Sequence, residues 1–537
     1  ADAMKTTPSP CPHQDACDVC VWLGAPTEEA LTAKTARVRD ALARYALLRD
    51  APVETCVPAP QATGHRTRAK LALSYDHRDA GERGPASIGL FRPGTHQVVD
   101  LPRCVALHPL LLPVLDTLRA FVPTTRAALL HVDARASQFQ GQVHLTLVAD
   151  AGADRHPLAR LAAALRERHP EVSGVALRRT RGPVGGALFG PTEALEGEQK
   201  LWEAVGGRRF RLSPGAFFQA SPGAAEGLHN AVRAGLADPS AGRATHLVDL
   251  YAGVGAFGIA LADSVSRTTL VEHVPQAVAD ARASAVASGV DVDVVEAPVE
   301  QAAARLVEWA PDRLVVDPPR RGAPAHVLQA IGRAAPARVA WIACDAEAGA
   351  RDVAALAPFG LALRRALPFG LFPGAEDVET LLMLEADPDA WRPEIRAQGK
   401  GWCVAVKPAL LPTHAGPRGG PDLGGALARI TGGERWQALL PVPDDLSGLV
   451  LFTCDVDARA SLRNAHALGQ IEQETWAWVR GVPRARGRVT SLAKRGGAPS
   501  TTKLTRLDVV GGYGVSRARV VRGDLAQVPD HLARIGH

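Results

Sequence analysis

Leu247–Ala262 reads LVDLYAGVGAFGIALA, and the rest of the chain can be placed around it. An apolar run closes on Asp249, a glycine turn follows at Gly253 and Gly255, and small apolar residues then recur at helical spacing. That is the pattern of a first strand, a tight turn and a first helix in a doubly wound α/β sheet. Ligands of such sheets sit beyond the carboxyl ends of the strands, where glycines let the backbone approach. A Gly-x-Gly turn alone is a weak signal, since many such turns bind nothing. Two downstream acids sharpen it. Glu272 ends the next apolar run (TTLVE), in position to take the two hydroxyls of a ribose. Asp317 ends another (RLVVD) and runs straight into Pro318-Pro319-Arg320-Arg321-Gly322. A nicotinamide-binding domain accounts for the first two features and has no use for the third.

The chain has 537 residues, enough for about three domains. No apolar run reaches the roughly 18 residues of a membrane span, and no charged-then-apolar signal opens the chain, so a cytoplasmic location is expected. Met4 reads as the initiating residue. Eight cysteines in so long a chain are not a disulfide framework; in a reducing compartment, clustered cysteines point to metal or catalysis. Charge is unevenly spread. Residues 401–537 hold 18 Lys/Arg against 11 Asp/Glu, whereas the first 400 are close to neutral. A basic C-terminal part suggests a polyanionic partner, and a merely solvated basic face explains the charge equally well.

Near the start stands Cys11-Pro12-His13-Gln14-Asp15-Ala16-Cys17-Asp18-Val19-Cys20. Three thiolates at this spacing reach one centre from a single loop, and the fourth ligand must come from elsewhere. Cys56 and Cys104 are the distant candidates, with Cys104 better fixed behind the extended run HQVVDLPRC. Spacing alone accommodates both a structural zinc ion and an iron–sulfur cluster. Residues 27–49 then read as an amphipathic helix with Thr27 as its N-cap. From about residue 64 alternating patterns predict a β-rich domain containing one helix (LARLAAALRERH). Arg66, Arg68 and Lys70 are expected on one face of one of its strands, either holding phosphates or simply solvated.

Strands and helices alternate from Phe217-Phe218-Gln219 to residue 386. Cys344 closes the strand RVAWIAC on the ligand-binding edge, and Glu379 opens the final apolar strand. Strand-end Asp249, glycine turn, strand-end Glu272 and Asp317-Pro-Pro resemble a class I S-adenosylmethionine-dependent methyltransferase. More specifically, Cys11 to about Glu385 resembles the bacterial RNA uracil-C5 (5-methyluridine) methyltransferases, within them the ribosomal RNA branch that binds a [4Fe–4S] cluster. The resemblance implies cluster ligands at Cys11, Cys17, Cys20 and Cys104, and S-adenosyl-L-methionine contacts at Gln219, Tyr251, Glu272 and Asp317 beside the Gly253–Gly255 turn. It implies a nucleophile at Cys344 and a general base at Glu379, with a flipped uracil as substrate.

The chain departs from the family at three points. Asp345-Ala346 stands where Asn-Pro is usual, Ala256 replaces the asparagine after the glycine turn, and the N-terminal oligonucleotide-binding (TRAM) barrel is expected to be missing because Cys11 lies so near the first residue. Arg351-Asp352 fit the family. Read without Glu379, Cys344 is an ordinary buried thiol.

After a polar linker around Pro388–Lys400 the chain resembles the pseudouridine synthases of ribosomal and transfer RNA. Val406-Lys407-Pro408, Leu446–Phe452, Thr475–Gly481 and His531–His537 carry the likeness. The resemblance puts Pro443 at the catalytic aspartate, Trp476 at the active-site tyrosine and Pro529 at an arginine, which implies an inactive domain kept for RNA binding. Arg484, Arg486, Arg488, Lys494 and Arg495 are expected in a flexible phosphate-contacting loop. Cys56, Cys403 and Cys454 are expected as core residues.

The expected fold is thus α/β, a Rossmann-like methyltransferase core. The expected domains are residues 1–60 (cluster loop and helix), 61–190 (β-rich, RNA-binding), 191–390 (methyltransferase) and 396–537 (α+β, pseudouridine-synthase-like). The expected partner of this monomer is RNA, ribosomal ahead of transfer RNA. The rival expectation is a non-catalytic RNA-binding or ribosome assembly factor.

Overall fold

The computed structural model describes residues 10–77, 83–125, 129–180, 190–237, 244–417, 419–491 and 499–537. Met4, Lys494 and Arg495 lie outside the described residues. Contacts divide the chain into two units, residues 1–354 with 362–386 and residues 355–361 with 387–537.

In the first unit an eight-stranded sheet is built around Ala244–Leu250. Its order is Val57–Pro58, Leu361–Gly370, Glu379–Ala386, Arg338–Ala343, Arg313–Val316, Ala244–Leu250, Val265–Glu272 and Asp293–Glu296. Ala244–Leu250 pairs in parallel with both Val265–Glu272 and Arg313–Val316, so strand order reverses there and opens a crevice above its carboxyl end. Glu379–Ala386 instead runs antiparallel to Arg338–Ala343, with Ala343 opposite Thr380. The inner strands are continuous apolar runs such as Leu314-Val315-Val316 because helices cover both faces.

A second, seven-stranded sheet precedes it, in the order Val98–Asp100, Arg83–Phe91, Arg68–His77, Leu129–Ser137, Gln142–Asp150, Val172–Thr180 and Glu193–Gly197. Helices Leu111–Phe121 and Arg155–Arg168 bury its apolar side chains. The other face is polar and largely buried, with Lys70 half-buried, so Arg68 is neither solvated nor open to phosphate as either expectation had it. Arg68 lies in a two-pronged ion pair with Asp133, Nε to Oδ1 at 2.9 Å and Nη2 to Oδ2 at 2.6 Å. Its Nη1 also donates to Ala216 O at 2.7 Å. Arg66 lies outside the Arg68–His77 strand, in an isolated bridge with Leu107, and its guanidinium lies over the Phe372 ring. The first helix is also shorter than expected: it spans Thr27–Ala43, and Pro26, not Thr27, occupies the N-cap position.

The second unit contains two four-stranded sheets. Ile395–Gly399, Trp402–Lys407, Gly448–Thr453 and Gln437–Ala438 form the first, packed around Cys403, Leu423, Leu427 and Phe452. Gln473–Arg480, Tyr513–Arg522, Ser500–Val510 and Arg486–Ser491 form the other, with helix Gln527–Arg534 against one face. Arg486 and Arg488 therefore sit on a paired strand rather than in a flexible loop. Cys56 and Cys403 are buried, while Cys454 is only half-buried at the edge of its core. Among the described residues no helix is long and apolar enough to cross a membrane.

Candidate active site

The glycine turn after Leu250 shapes one wall of the crevice. Tyr251 itself has φ 62°, a left-handed conformation that costs a non-glycine residue energy and is concentrated at functional sites. Gly253 (φ 57°) faces open space, so the backbone is bare where a ligand can approach. Gly255 (φ 82°) fits only without a side chain, because a Cβ there would stand 2.7 Å from Ile259 Cδ1. Gly258 completes a Gly-x-Gly-x-x-Gly run that the sequence reading left out. A Cβ on Gly258 would meet Leu270 Cδ2 at 2.2 Å, and its N–H donates to Asp249 Oδ2 at 2.8 Å.

The pocket beside this turn is lined by Phe217, Phe218 and Gln219 on one side and by Asp249, Tyr251, Gly253 and Asp317 on the other. Among the described residues, Asp249 Oδ1 and Tyr251 Oη, from two of the lining side chains, are buried without a hydrogen-bond partner. A buried polar atom left unpartnered is costly. Glu272 sits beside the turn: Oε2 accepts from Gly253 N at 3.0 Å, and Oε1 accepts from Val274 N at 2.8 Å. These bonds fix the carboxylate at the strand end and leave it lone pairs for a ribose.

At the neighbouring strand end Ala343 is opposite Thr380 in the antiparallel register, Cys344 lies in the bend just after Ala343, and Glu379 just before Thr380 is close enough to act on its thiol. Burial, Glu379 and Asp317, in that order, push the Cys344 thiol up to about 11. Glu379 is raised by burial, then by Asp317 and Asp377. Asp317 is raised by burial, and Asp249 is raised to about 8 by burial together with Asp317 and Glu272. Thiol and carboxyls thus lie near one another at the strand ends, where the Arg320 guanidinium partly offsets the effect on the thiol.

The loop after Asp317 is locked from below. Arg351 donates to Arg321 O at 2.7 Å, and buried Asp352 accepts from Ala323 N at 2.7 Å. Gly322 (φ 82°) is obligatory, since a Cβ would lie 2.2 Å from Arg351 Nη2. Asp345, the unusual neighbour of Cys344, accepts from Ala348 N at 2.8 Å and so caps the helix that begins at Ala346.

The Cys11–Cys20 loop is docked through Arg103 N, which donates to His13 Nε2 at 3.2 Å, and through Trp22 N, which donates to Gly374 O at 3.0 Å. The four predicted thiols share one neighbourhood: Cys20 is pushed up to about 11 by burial and then by Cys104, Cys17 and Cys11. Cys104 is raised by burial, with Cys11 and Cys17 adding to it. The buried Arg66 guanidinium lies close enough to favour both thiolates. Among the described residues no three His, Cys, Asp or Glu side chains are arranged around a single metal ion.

No known family profile matches the chain. An uncharacterised RNA methyltransferase of Gloeobacter violaceus is 32% identical over 389 residues, covering 70% of this chain and 82% of its own. One of Thermosynechococcus vestitus is likewise 32% identical, over 390 residues. The chain belongs to the RNA methyltransferases.

Among solved structures, the tRNA (uracil-54, C5)-methyltransferase of Pyrococcus abyssi in complex with S-adenosyl-L-homocysteine superposes with a TM-score of 0.56 at 21% identity. It covers 68% of this chain and 84% of its own, and shares the fold. In this RNA methyltransferase the sequence-predicted residues fall into three groups. Gln219, Tyr251, Gly253 and Asp317 line the pocket, with Gly255 and Glu272 supporting its turn. Cys344 and Glu379 stand at the adjacent edge, and the four cysteines form a separate cluster. In the second unit, Lys407 is fully buried and donates to Asp444 O at 2.9 Å and Leu446 O at 2.6 Å, holding the loop that contains Pro443.

Proposed function

We propose that this RNA methyltransferase transfers a methyl group from S-adenosyl-L-methionine to carbon 5 of a uridine through a covalent cysteine–uracil adduct. The observation that supports the reading is the proximity of Cys344 to Glu379 and Asp317, at strand ends where Ala343 pairs with Thr380. Carbon 5 of uracil is too weak a nucleophile to take a methyl group unaided. Addition of the Cys344 thiolate to carbon 6 makes the ring an enolate, whose carbon 5 forms the new bond to methyl while the methyl–sulfur bond breaks. Glu379 as carboxylate then removes the carbon-5 proton. The electron pair re-forms the ring double bond and expels the thiolate. When bound, the cofactor supplies the electrophilic methyl and a positive charge. Asp249, Asp317 and the bare backbone at Gly253 suit a cation at the mouth of the crevice.

Cys11, Cys17, Cys20 and Cys104 would hold a [4Fe–4S] cluster, supported by their shared electrostatic neighbourhood and the nearby Arg66. That cluster favours large-subunit ribosomal RNA over transfer RNA as substrate. The C-terminal unit is read as an inactive pseudouridine-synthase-like domain that binds RNA; Pro443 offers no carboxylate where the resemblance asks for one.

The test is covalent trapping. The protein is incubated with S-adenosyl-L-methionine and ribosomal or transfer RNA carrying 5-fluorouridine, then run on a denaturing gel. Fluorine cannot leave as a proton, so an active nucleophile stays attached to RNA. A shifted band that disappears in Cys344→Ala supports the mechanism, and sequencing the trapped RNA identifies the uridine. No band with either RNA, with cofactor bound, would sink the catalytic reading and favour a binding factor.

A further inference from the structure

We propose that the open face of the Gln473–Arg522 sheet in the C-terminal unit is a stacking platform for single-stranded RNA. The inference deepens the RNA-binding part of the reading above and rests on it. Alternation along Gln473–Arg480 sends Ala477 and Val479 toward helix Gln527–Arg534, and Trp476 and Trp478 the other way. Both rings are largely in solvent, Trp476 at 71% and Trp478 at 64% exposure. The pairing continues this face across the sheet. Trp476 lies opposite Arg517, Arg480 opposite Tyr513 and Glu474 opposite Arg519. Arg519 is opposite Lys503, and Lys503 opposite Arg488.

Two tryptophans on one open face mark an interaction surface, and their surroundings say for what. Arg480, Arg486, Arg488, Lys503, Arg517 and Arg519 share the face with Glu474 and Asp508, and Glu472 stands at its rim. The excess is cationic. The pairs it contains are loose and exposed, Arg519 with Glu472 at 3.1 Å and Arg517 with Glu474 at 3.7 Å, so a phosphate can displace them. Arginine beside tryptophan also occurs at protein interfaces, but Lys503, Glu474 and Asp508 on the same face are residue types that such interfaces shed. Aromatic faces for bases and cations for phosphates on a four-stranded sheet fit RNA.

The spacing selects single strands. Same-face neighbours on a strand stand roughly 7 Å apart, about twice the 3.4 Å step of a stacked nucleic-acid strand. Two successive bases reach both rings only when splayed, and a duplex keeps its base faces hidden.

The experiment uses the full chain and a labelled 12-nucleotide oligocytidine, which lacks the base that the methylation site takes. Fluorescence anisotropy should show tighter binding to it than to a 12-base-pair RNA duplex, with quenching of tryptophan emission. W476A/W478A should weaken binding about 30-fold or more, since each stacked base is worth at least several-fold. W476F/W478F should retain most of the affinity, and R488Q/K503Q should flatten its salt dependence. Because both tryptophans are exposed, melting temperature serves as the folding control. Unchanged affinity in W476A/W478A, or equal binding of duplex, would overturn the proposal. So would a variant that converts a dimer to monomer in sedimentation with RNA affinity intact, which would assign the face to a second copy. Trapping by 5-fluorouridine RNA separates the readings: trapping with tryptophan-independent RNA binding defeats only the platform, and tryptophan-dependent binding without trapping defeats only the methylation.

Discussion

Glu379→Gln should move the reactivity and the turnover of this enzyme in opposite directions. In the free protein the Cys344 thiol sits at about 11, raised first by burial and then by the Glu379 carboxylate. Burial is the larger cause of that rise, so the carboxylate accounts for the smaller part, roughly one pKa unit or less. Glutamine removes the charge and leaves the burial, so the thiol should fall by up to about one unit and its thiolate fraction at pH 8 should rise severalfold, at most about tenfold. The assay is the pH dependence of Cys344 alkylation by iodoacetamide, followed on its own peptide by mass spectrometry so that the other seven cysteines do not contribute. Methyl transfer, by contrast, should stop after the methyl group is in place. No carboxylate remains to take the carbon-5 proton, and the adduct should persist even on ordinary uridine RNA. An alkylation profile that is unchanged, or displaced to higher pH, would show that the two groups do not face each other and would undo the reasoning.

Four further outcomes follow from named contacts. Asp249 has a folded-state pKa raised to about 8 by burial, so its protonated form favours the folded protein and that stability drains away as pH rises from about 4 through 8. The fall in cofactor-free stability between pH 6 and 8 should therefore be about 2 kcal/mol smaller in Asp249→Asn, read from urea unfolding. Gly258→Ala forces a methyl group against Leu270 and Asp249, and should destabilise by about 1–3 kcal/mol and weaken S-adenosylhomocysteine binding in calorimetry. Asp133→Ala strips Arg68 of its buried partner and should cost about 3–5 kcal/mol in unfolding experiments, loosening the Ala216 turn before Gln219. Cys104→Ser should lose iron, sulfide and visible absorbance in anaerobically purified protein while Cys56→Ser keeps them; equal loss in both would contradict the ligand set.

How much of this was legible depends on how local the cause is. The strand–turn–helix at Leu247–Ala262 is encoded by neighbours in sequence, an apolar run and two glycines, and the strand appears where the pattern puts it. Gly258 was equally legible, as the third glycine of the run, and went unread because the turn drew attention only to the first two. Arg68 could not be read correctly from period alone. Alternation puts basic residues on one face, but only a partner 65 residues away, Asp133, decides whether that face is solvated or closed. The same holds at Thr27, where a good capping residue was read as the cap although the turn begins one residue earlier, at Pro26.

The reacting pair shows the limit most clearly, because the apolar patterns around Cys344 and Glu379 say only that each lies at a strand end. A parallel final strand would carry Glu379 to the opposite edge of the sheet, away from the thiol. Antiparallel insertion beside Arg338–Ala343 reverses it, so that the start of one strand lies beside the end of the other, with Ala343 opposite Thr380. The proposed chemistry rests on that reversal. A one-residue slip in the register would turn Glu379 to the other face of the sheet and leave Cys344 a buried thiol with no base. Shifting the hairpin that precedes Glu379 by one inserted residue should therefore abolish product formation in the trapping and turnover assays alike, while leaving cofactor binding at the Asp249–Gly253 pocket intact. Loss of both together would mean that the inserted residue had unfolded the sheet rather than shifted it, and melting temperature distinguishes the two.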